Sequence, residues 1–379
     1  MVKQSPIESV LVVGYYGRGN FGDDVLMVAA TRAVRRLFPQ AEVHVRADGQ
    51  LNYVQAQVGP DIHAVPYGTR AEYRVIVHGG GGTYFDFATH GKYQRLTQKV
   101  LLSLGPRPYV LCERLVRSLA GRPRVSAHYR VGLGLGIGTF SKGSPRLLAA
   151  LPEMLDFTSV WVRDPESEEN LRAIGMTCPV EVGSDLAFLS DLWCPKDLVL
   201  RKALRSANTK PRVGVIVRDW VLADGKSVAE EMFRAVQPIR DICDFTLISL
   251  DATADAESIA AARGFPLEVW RPRHLSIPDF LMKLSAQDAF ITTRAHGAIC
   301  GSVLGRPSIV VGIEPKLSHV HGMLPNATLF VQPDALKHQL GGLLNQLLAI
   351  PHTDIEKDVA SCRAKSERAL SATLGEVRL

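Results

Sequence analysis

The sequence has few of the features that mark membrane-spanning, secreted or nucleic-acid-binding proteins. No segment reaches the roughly 18 uninterrupted apolar residues of a membrane span, and the first residues, MVKQSPIESVLVVG, lack the apolar core and cleavage site of a signal peptide. Aromatic residues make up only 7% of the chain, and there is no lysine run or RGG-like tract. Nucleic acid is therefore the least favoured acidic partner, and we expect a cytoplasmic protein.

Cysteine is also scarce, and its spacing matches no metal-binding pattern. The six cysteines are scattered, with no CxxC pair and no nearby histidines at the spacing of metal ligands. This pattern predicts reduced thiols, as in a cytosolic protein, and no metal site.

The composition is that of a globular protein with an excess of basic residues. Hydrophobic residues make up 46% and charged residues 22% of the 379 residues. A chain of this length is too long for one ordinary core and suits two domains. The net charge of +6 at pH 7 favours an acidic partner, such as a phosphorylated metabolite or an anionic lipid, without identifying it.

Strand-like segments alternate with helical ones twice along the chain. The first series of apolar segments covers 9–13, 74–77, 131–140, 159–163 and 180–182. A polar stretch around 190–211 separates it from a second series at 213–217, 245–250, 267–270, 289–293 and 308–311. We predict an α/β protein with two Rossmann-like domains in a GT-B-like architecture, residues 1–195 and 196–350, followed by a C-terminal helix over 351–379.

Arg294 and His296 stand at a predicted junction between the strand 289–293 and a helix over 297–304. In a parallel sheet such junctions lie at the edge where ligands bind, and the helix directs unpaired N–H groups to the same place. An isolated histidine in a loop is more often solvated or capping. Here, however, a buried Arg294 requires an anionic partner, and Lys316 follows the next strand. The pattern predicts a site for a small anion.

The loop after the first strand, GYYGRGNFGDD (Gly14–Asp24), contains a literal GxGxxG between a strand and a helix. A dinucleotide-binding fingerprint begins directly at the strand end, whereas Gly14 occupies that point here and two tyrosines intervene. The carboxylates of Asp23 and Asp24 would also repel a pyrophosphate. We expect this loop to bind a hydroxyl-rich or mixed ligand, with helix capping as an equal alternative for Asp23.

Four consecutive glycines follow the strand at 74–77, in the segment HGGGGTYFD (His78–Asp86). Glycine is costly in backbone entropy, so we expect a ligand or another part of the backbone to approach closely there. Asp86 is suited equally to binding sugar hydroxyls and to capping a turn, and His78 is expected to pack or cap.

A basic segment over Lys99–Arg130 carries seven Lys and Arg residues against the single acid Glu113. Apolar residues alternate with these bases, so a peripheral contact with the anionic inner face of the membrane is one interpretation. A solvated basic face is the more common outcome of such patterns. Both interpretations stay open.

Taken in order, the motifs resemble those of the polysaccharide pyruvyl transferase family. They are GYYGRGNFGDD, HGGGGTYFD, GLGIG at Gly134–Gly138, VRDPES at Val162–Ser167, VGSD at Val182–Asp185, VRDW at Val217–Trp220 and TRAHGAICGSVLGRPSIVVGIEPK at Thr293–Lys316. Ala295 stands where the family typically has leucine. The resemblance implies a bacterial enzyme of polysaccharide biosynthesis, which transfers pyruvate from phosphoenolpyruvate to a sugar of an exopolysaccharide or cell-wall glycan and forms a ketal.

The resemblance also implies a phosphoenolpyruvate site, mainly in the C-terminal domain. This donor carries a phosphate and a carboxylate, and arginine binds each through paired hydrogen bonds. The expected donor-binding residues are Arg163, Arg218, Arg294 and Lys316. Of these, Arg294 is expected to act in catalysis together with His296, the proton shuttle, because imidazole titrates near neutral pH.

The N-terminal domain is expected to bind the acceptor, a saccharide that is free or lipid-linked. Asn20, Asp23 and Asp86 are the residues expected on this side. The implied reaction requires neither a metal nor a cofactor, and both a monomer and a homo-oligomer are compatible with the sequence.

Three other functions stay open. A nucleotide-sugar glycosyltransferase has the same GT-B architecture, but usually carries a carboxylate for sugar hydroxyls in its C-terminal half, where anion-binding residues dominate here. A non-catalytic glycan-binding protein with this fold would bind saccharide without releasing phosphate. An NAD-dependent enzyme is least favoured, because of the geometry of the first loop.

Overall fold

The computed structural model describes residues 9–47, 50–67, 72–84, 108, 110–111, 125–138, 140, 144–201, 209–222, 224–262 and 264–378. Contacts between residues divide the chain into two compact units. The first consists of Met1–Tyr16, Leu26–Leu186 and Lys365–Leu379, and the second of Gly17–Val25 and Ala187–Ala364. No helix in these described ranges is both long and apolar enough to span a bilayer.

The first unit is built on a parallel sheet that has seven strands within the described ranges. The strands are β1 (Ser9–Val13), β2 (Glu42–Arg46), β3 (His63–Val65), β4 (Glu72–Tyr84), β5 (Ser126–Ile137), β6 (Ser159–Val162) and β7 (Val180–Val182). Their order is β3-β2-β1-β4-β5-β6-β7, and all neighbours pair in parallel. The order changes direction between β1 and β4, which is the ligand-binding switch point of doubly wound sheets.

Helices connect these strands, and local sequence explains where they begin. They are α1 (Phe21–Leu37), α2 (Leu51–Val58), α3 (Pro145–Met154) and α4 (Pro165–Ala173). Asp164 caps α4 by accepting a hydrogen bond from the Ser167 N–H at 2.8 Å, and Pro165 occupies the first helical position. Every residue of β1 is buried, as expected for a central parallel strand.

The second unit repeats this plan with six strands in the part of the chain described. They are β8 (Arg212–Ile216), β9 (Asp244–Ser249), β10 (Leu267–Val269), β11 (Ala289–Thr292), β12 (Ser308–Val311) and β13 (Thr328–Val331), in the order β10-β9-β8-β11-β12-β13. The helices are α5 (Val228–Val236), α6 (Ala256–Ala261), α7 (Ile277–Ser285), α8 (Ala295–Val303), α9 (Pro315–Met323) and α10 (Pro333–Leu348). The switch point of this sheet lies between β8 and β11.

The last long helix, α11 (His352–Gly375), contributes to both units. In the second unit, Asp358 accepts hydrogen bonds from the backbone N–H groups of Asn326 and Ala327, at 2.7 and 2.8 Å. In the first unit, the Ser159 hydroxyl donates to the Thr373 carbonyl at 2.8 Å. The predicted C-terminal helix is therefore confirmed.

The observed units differ from the predicted domains in three places. The main division falls between residues 186 and 187, rather than at 195. The helix α11 is divided between Ala364 and Lys365, whereas a separate element was predicted from 351. The segment Gly17–Val25 lies in the second unit, although it is close to the N-terminus. Long-range packing of Phe21, described below, accounts for this last difference.

The glycine run predicted to follow a strand lies within β4, and two of its glycines are packed by side chains of the first unit, rather than open to a ligand. A Cβ at Gly79 would lie 2.4 Å from the Tyr16 hydroxyl oxygen, and one at Gly80 would lie 2.8 Å from Leu26. Gly80 also has φ +63°, which favours glycine. The sequence predicts a close approach to these glycines, and the side chains of Tyr16 and Leu26 make it.

His78, which precedes these glycines, belongs to a buried polar network. Its Nδ1 is 3.0 Å from the Tyr84 hydroxyl, and its Nε2 is 2.9 Å from Nη1 of Arg130, which also donates to Glu153. Burial lowers the pKa of His78 to about 3, so the ring is neutral and can accept the hydrogen bond from Arg130. Of the two roles predicted for His78, packing and capping, the structure shows packing in the interior.

Candidate active site

Hydrogen bonds made by Thr293 join the carboxyl ends of β8 and β11. The Thr293 N–H donates to the Ile216 carbonyl at 2.9 Å, and the Thr293 hydroxyl oxygen accepts from the Arg218 N–H at 2.8 Å. Arg294 follows immediately and is the N-cap residue of α8. The strand-to-helix junction predicted around Arg294 is confirmed, and Arg218 lies on the neighbouring strand end.

Arg294 forms a buried ion pair within the second unit. Its Nη2 contacts Oδ1 of Asp255, whose side chain is fully buried and also accepts a hydrogen bond from the Ser249 hydroxyl at 3.0 Å. Burial raises the pKa of Asp255, and the charge of Arg294 opposes this rise. The Nε of Arg294 is buried and has no hydrogen-bond partner among the described residues. Asp255 is thus an anionic partner of Arg294, and the Nε–H of the guanidinium is a further donor that no described residue accepts from.

Glu314 connects two more of the predicted cations. It accepts from Nη1 of Arg218 at 3.2 and 3.4 Å, and its Oε1 is 2.8 Å from Nζ of Lys316. Glu314 is the N-cap residue of α9, yet its side chain accepts no capping hydrogen bond. The Arg218 guanidinium also lies 5.1 Å from the centre of the Trp220 ring. One carboxylate therefore holds the cationic groups of Arg218 and Lys316 close to each other.

The segment Gly17–Val25 is fixed to the second unit by its aromatic residue. The Phe21 N–H donates to the Leu250 carbonyl at 2.8 Å. Its ring makes edge-to-face contacts with Trp270 and Phe280, at centroid distances of 5.1 and 4.9 Å, and all three side chains are fully buried. The buried carboxylate of Asp24 accepts a hydrogen bond from the Trp270 indole N–H at 2.9 Å. These contacts determine the position of the residues between Phe21 and Asp24.

Gly22 lies directly against the ring of His296. A Cβ built on Gly22 would stand 2.2 Å from His296 Nδ1 and 2.9 Å from the His296 Cβ. Real Cβ atoms do not approach other atoms so closely, so the imidazole occupies the space that a side chain at position 22 would need. Gly22 was missed as a site residue, because the sequence pattern gave it only a place in the weak GxGxxG match.

Asp23 shares the surroundings of His296. Its pKa is raised to about 6, mainly by burial, while the charges of His296, Lys316 and Arg294 oppose the rise and Asp251 adds to it. Asn20 caps α1 by accepting the Asp23 N–H at 3.2 Å, and its amide donates to Asp251 at 3.4 Å. The capping role considered for Asp23 therefore belongs to Asn20.

The predicted site residues fall into three groups. Those in the second unit are Asn20, Asp23, Arg218, Arg294, His296 and Lys316. Arg163 lies in the first unit. Asp86 lies outside the described residues, as does most of the basic segment Lys99–Arg130. Asn20 and Asp23, which were assigned to the N-terminal domain, thus belong with the second unit. The functional roles of all these residues stay predictions.

Arg163 follows β6 in the first unit and is almost completely buried. Its Nε donates to Oδ2 of Asp164 at 3.3 Å, and its Nη1 is 3.5 Å from Oδ2 of Asp185. The guanidinium lies over Gly136, where a Cβ would be 2.6 Å from the Arg163 Cζ. Two carboxylates therefore compensate the charge of Arg163 within its own unit.

The second-unit site combines groups suited to acid–base chemistry on an anionic substrate. Cationic side chains follow three strands of one sheet. The charges of two of them, Arg294 and Lys316, act together with that of His296 on the carboxyl group of Asp23, whose pKa is about 6. Among the residues that the structure describes, no cluster of three or more His, Cys, Asp or Glu side chains is arranged to hold a metal ion.

Solved structures with the same fold support the two-sheet architecture. A putative UDP-N-acetylglucosamine 2-epimerase from Listeria monocytogenes is 13% identical, with a TM-score of 0.55 over 96% of this chain and 95% of that one. The S. aureus protein MnaA, solved with UDP, is 12% identical, with a TM-score of 0.56 over 97% and 96% of the two chains. These neighbours are GT-B-like, so the predicted fold class is confirmed. At such low identity the likeness concerns the fold alone.

Family membership follows from the sequence comparison. A comparison with curated proteins finds no match. The family profile described as "Polysaccharide pyruvyl transferase" matches residues 20–315, from the Asn20 cap of α1 to the start of α9. This match extends through both units and covers well over half of the 379 residues. The chain belongs to the polysaccharide pyruvyl transferase family.

Proposed function

We propose that the protein transfers pyruvate from phosphoenolpyruvate to two hydroxyls of a saccharide, forming a cyclic ketal and releasing phosphate. The observation that carries this proposal is a set of cationic groups in one unit of a chain of this family. The charges of Arg294, Lys316 and His296 act together on the carboxyl group of Asp23, and Glu314 joins Lys316 to Arg218. Phosphoenolpyruvate has two anionic groups on three carbons, and these side chains offer several cationic hydrogen-bond donors at one edge of the sheet.

Phosphoenolpyruvate would bind at the cationic groups that are already paired with carboxylates. Asp255 and Glu314 hold Arg294, Arg218 and Lys316 in place, so these groups need little reorganisation when an anion arrives. The buried Nε of Arg294 supports binding of a further acceptor, because an unpaired buried donor is costly. The first N–H groups of α8 add favourable dipoles for an anion.

The chemistry needs proton transfer at carbon and at oxygen. His296 protonates the methylene carbon of phosphoenolpyruvate, which becomes a methyl group and leaves a cationic centre at C2. One saccharide hydroxyl then forms a C–O bond to C2 and loses its proton. The C2–O bond to phosphate breaks, and the second hydroxyl closes the ring. Of the two hydroxyl protons, one balances the new methyl C–H bond and the other leaves with the hydrogen phosphate.

The acceptor and the cellular location are part of the same proposal. We expect a saccharide precursor of an exopolysaccharide or cell-wall glycan, free or lipid-linked, used by a bacterial enzyme in the cytoplasm. Peripheral contact with the inner membrane face would use the basic segment Lys99–Arg130. Sedimentation with anionic liposomes tests that contact, which is refuted if substitution of Arg114 and Arg117 leaves binding unchanged.

The decisive experiment is phosphate release from phosphoenolpyruvate with a panel of free and lipid-linked saccharides. Release that depends on a saccharide, with pyruvate found in the saccharide product by mass spectrometry, supports the proposal. The alternative is a nucleotide-sugar glycosyltransferase, which is favoured by the fold shared with proteins solved with UDP. Thermal stabilisation by UDP or GDP, with none by phosphoenolpyruvate and no phosphate release, would favour this alternative. Glycan binding without phosphate release would favour a non-catalytic protein.

A further inference from the structure

We propose that Asp23 is a second catalytic residue, the base that takes the proton from the attacking saccharide hydroxyl. The assignment rests on the proposed function, because it concerns a step of the same reaction. It divides the two proton transfers between neighbouring side chains, with His296 acting on the donor carbon and Asp23 on the acceptor oxygen.

The position of Asp23 is fixed from both sides along the chain. Phe21 is held by the Leu250 carbonyl and by the rings of Trp270 and Phe280. Asp24 is held by the indole of Trp270. Between them, Gly22 contacts the His296 ring, and the charge of His296 acts on the carboxyl group of Asp23. A carboxylate held this rigidly is already oriented for catalysis before the substrate binds.

The two neighbouring carboxyl groups have different roles. Asp24 is 1% exposed and accepts the indole N–H, so its role is to fix the loop. Asp23 is only partly buried, and the cap of α1 is already provided by Asn20. Neither capping nor core packing therefore accounts for a carboxylate at position 23.

The charged groups that face Asp23 are His296, Lys316, Arg294 and Asp251. Burial outweighs the three cations and brings the pKa of Asp23 to about 6. A base is most effective when its pKa lies close to the working pH, so at neutral pH this carboxyl is mostly ionised and still basic enough to accept a proton. An ordinary surface aspartate would be a weaker base.

The pairing also returns the catalytic groups to their starting state. His296 loses its proton to the methylene carbon, and Asp23 gains one from the first hydroxyl. Transfer of that proton from Asp23 to the imidazole restores both groups, with no net change in the protein. When the second hydroxyl closes the ring, its proton passes through Asp23 to the departing phosphate.

The test compares Asp23→Asn and Asp23→Glu with the wild-type protein. All three are assayed with the saccharide that supports phosphate release. Asp241→Asn, on the exposed surface of the same unit, is the matched control. We expect kcat for Asp23→Asn to fall by roughly 10²- to 10⁴-fold, the usual contribution of a general base. Affinity for phosphoenolpyruvate, measured by calorimetry, should be retained, and Asp23→Glu should recover part of kcat. The control should match the wild type.

The pH profile separates a catalytic from a merely structural role. For the wild type, kcat should fall below about pH 6, where Asp23 becomes protonated, and this limb should be absent in Asp23→Asn. Wild-type turnover, together with near-normal kcat and an unchanged acidic limb in Asp23→Asn, overturns the assignment of Asp23 alone. Failure of the wild type to release phosphate with any saccharide overturns the proposed function as well.

Discussion

The imidazole of His296 lies against the backbone of Gly22, 274 residues away along the chain, with Nδ1 only 2.2 Å from where a Cβ on Gly22 would stand. This contact explains why position 22 carries no side chain. It also couples the segment Gly17–Val25 to the junction between β11 and α8, both within the second unit. The orientation of the imidazole therefore depends on a glycine that takes no direct part in chemistry.

Gly22→Ala should reduce turnover while the protein stays folded. The new methyl group forces the His296 ring to move, and a displacement of about 1 Å in a catalytic group costs on the order of 10²-fold in rate. Phosphate release measures the loss, and circular dichroism checks the fold.

The matched control for this variant is Gly322→Ala in α9, where a Cβ would meet nothing within 4 Å. Alanine in a helix is more favourable than glycine by roughly 0.5–1 kcal/mol, so this variant should be at least as stable as the wild type and fully active. Equal activity of the two alanine variants would show that the imidazole orientation does not depend on Gly22.

His296→Ala should abolish phosphate release while phosphoenolpyruvate still binds. The side chain is proposed to carry the proton, whereas the charge that holds the donor comes from Arg218, Arg294 and Lys316. Calorimetry measures the binding and a phosphate assay the turnover. His338→Ala, an exposed histidine on α10, is the control and should behave like the wild type. Turnover close to wild type in His296→Ala would refute the role of the imidazole.

The site could be predicted in part because its elements are local in sequence. The alternation of apolar segments located β8, β11 and β12, and the residues that follow them are Arg218, Arg294 and Lys316 within a few positions. Parallel strands place their carboxyl ends at one edge, so proximity follows from topology. This reasoning requires no knowledge of individual side-chain contacts.

What could not be predicted depends on contacts between distant parts of the chain. No local pattern indicates that Phe21 packs on Trp270, so Asn20 and Asp23 were assigned to the wrong part of the molecule. Arg306 is a further example, because no local pattern indicates that its side chain is buried. It is 3% exposed and donates to the carbonyls of Gln287 and Ser285, at 2.6 and 2.9 Å.

Arg294→Lys should weaken binding of phosphoenolpyruvate without removing the positive charge. Lysine cannot both pair with Asp255 and present a second donor, because its ammonium lacks the planar fork of arginine. Loss of one hydrogen bond to a charged group corresponds to about 1.5–3 kcal/mol, or roughly 10- to 150-fold in Kd. Calorimetry measures the change. Arg234→Lys, on the exposed face of α5, is the control. Unchanged affinity in Arg294→Lys would mean that this arginine serves only the Asp255 ion pair.

The raised pKa of Asp23 predicts that this residue lowers stability at neutral pH. Below pH 3.8, the ordinary pKa of aspartate, the carboxyl group is protonated in both the folded and the unfolded chain, and it does not lower the free energy of unfolding. Between pH 3.8 and about 6 the unfolded chain ionises first, so stability falls as pH rises, and the full cost is present above about pH 6. For a partly exposed group we expect this loss in the free energy of unfolding to be roughly 1–3 kcal/mol.

Asp23→Asn removes this cost, because the amide does not ionise. The difference in melting temperature between Asp23→Asn and the wild type should therefore become more positive as pH rises from 4 to 7, even though turnover falls. Thermal unfolding across this pH range measures the effect, and Asp241→Asn should show no such trend. A difference that stays constant or becomes more negative would mean that burial does not raise the pKa of Asp23. A gain in stability at the expense of activity is the behaviour expected when a carboxyl group is kept in an unfavourable place for catalysis.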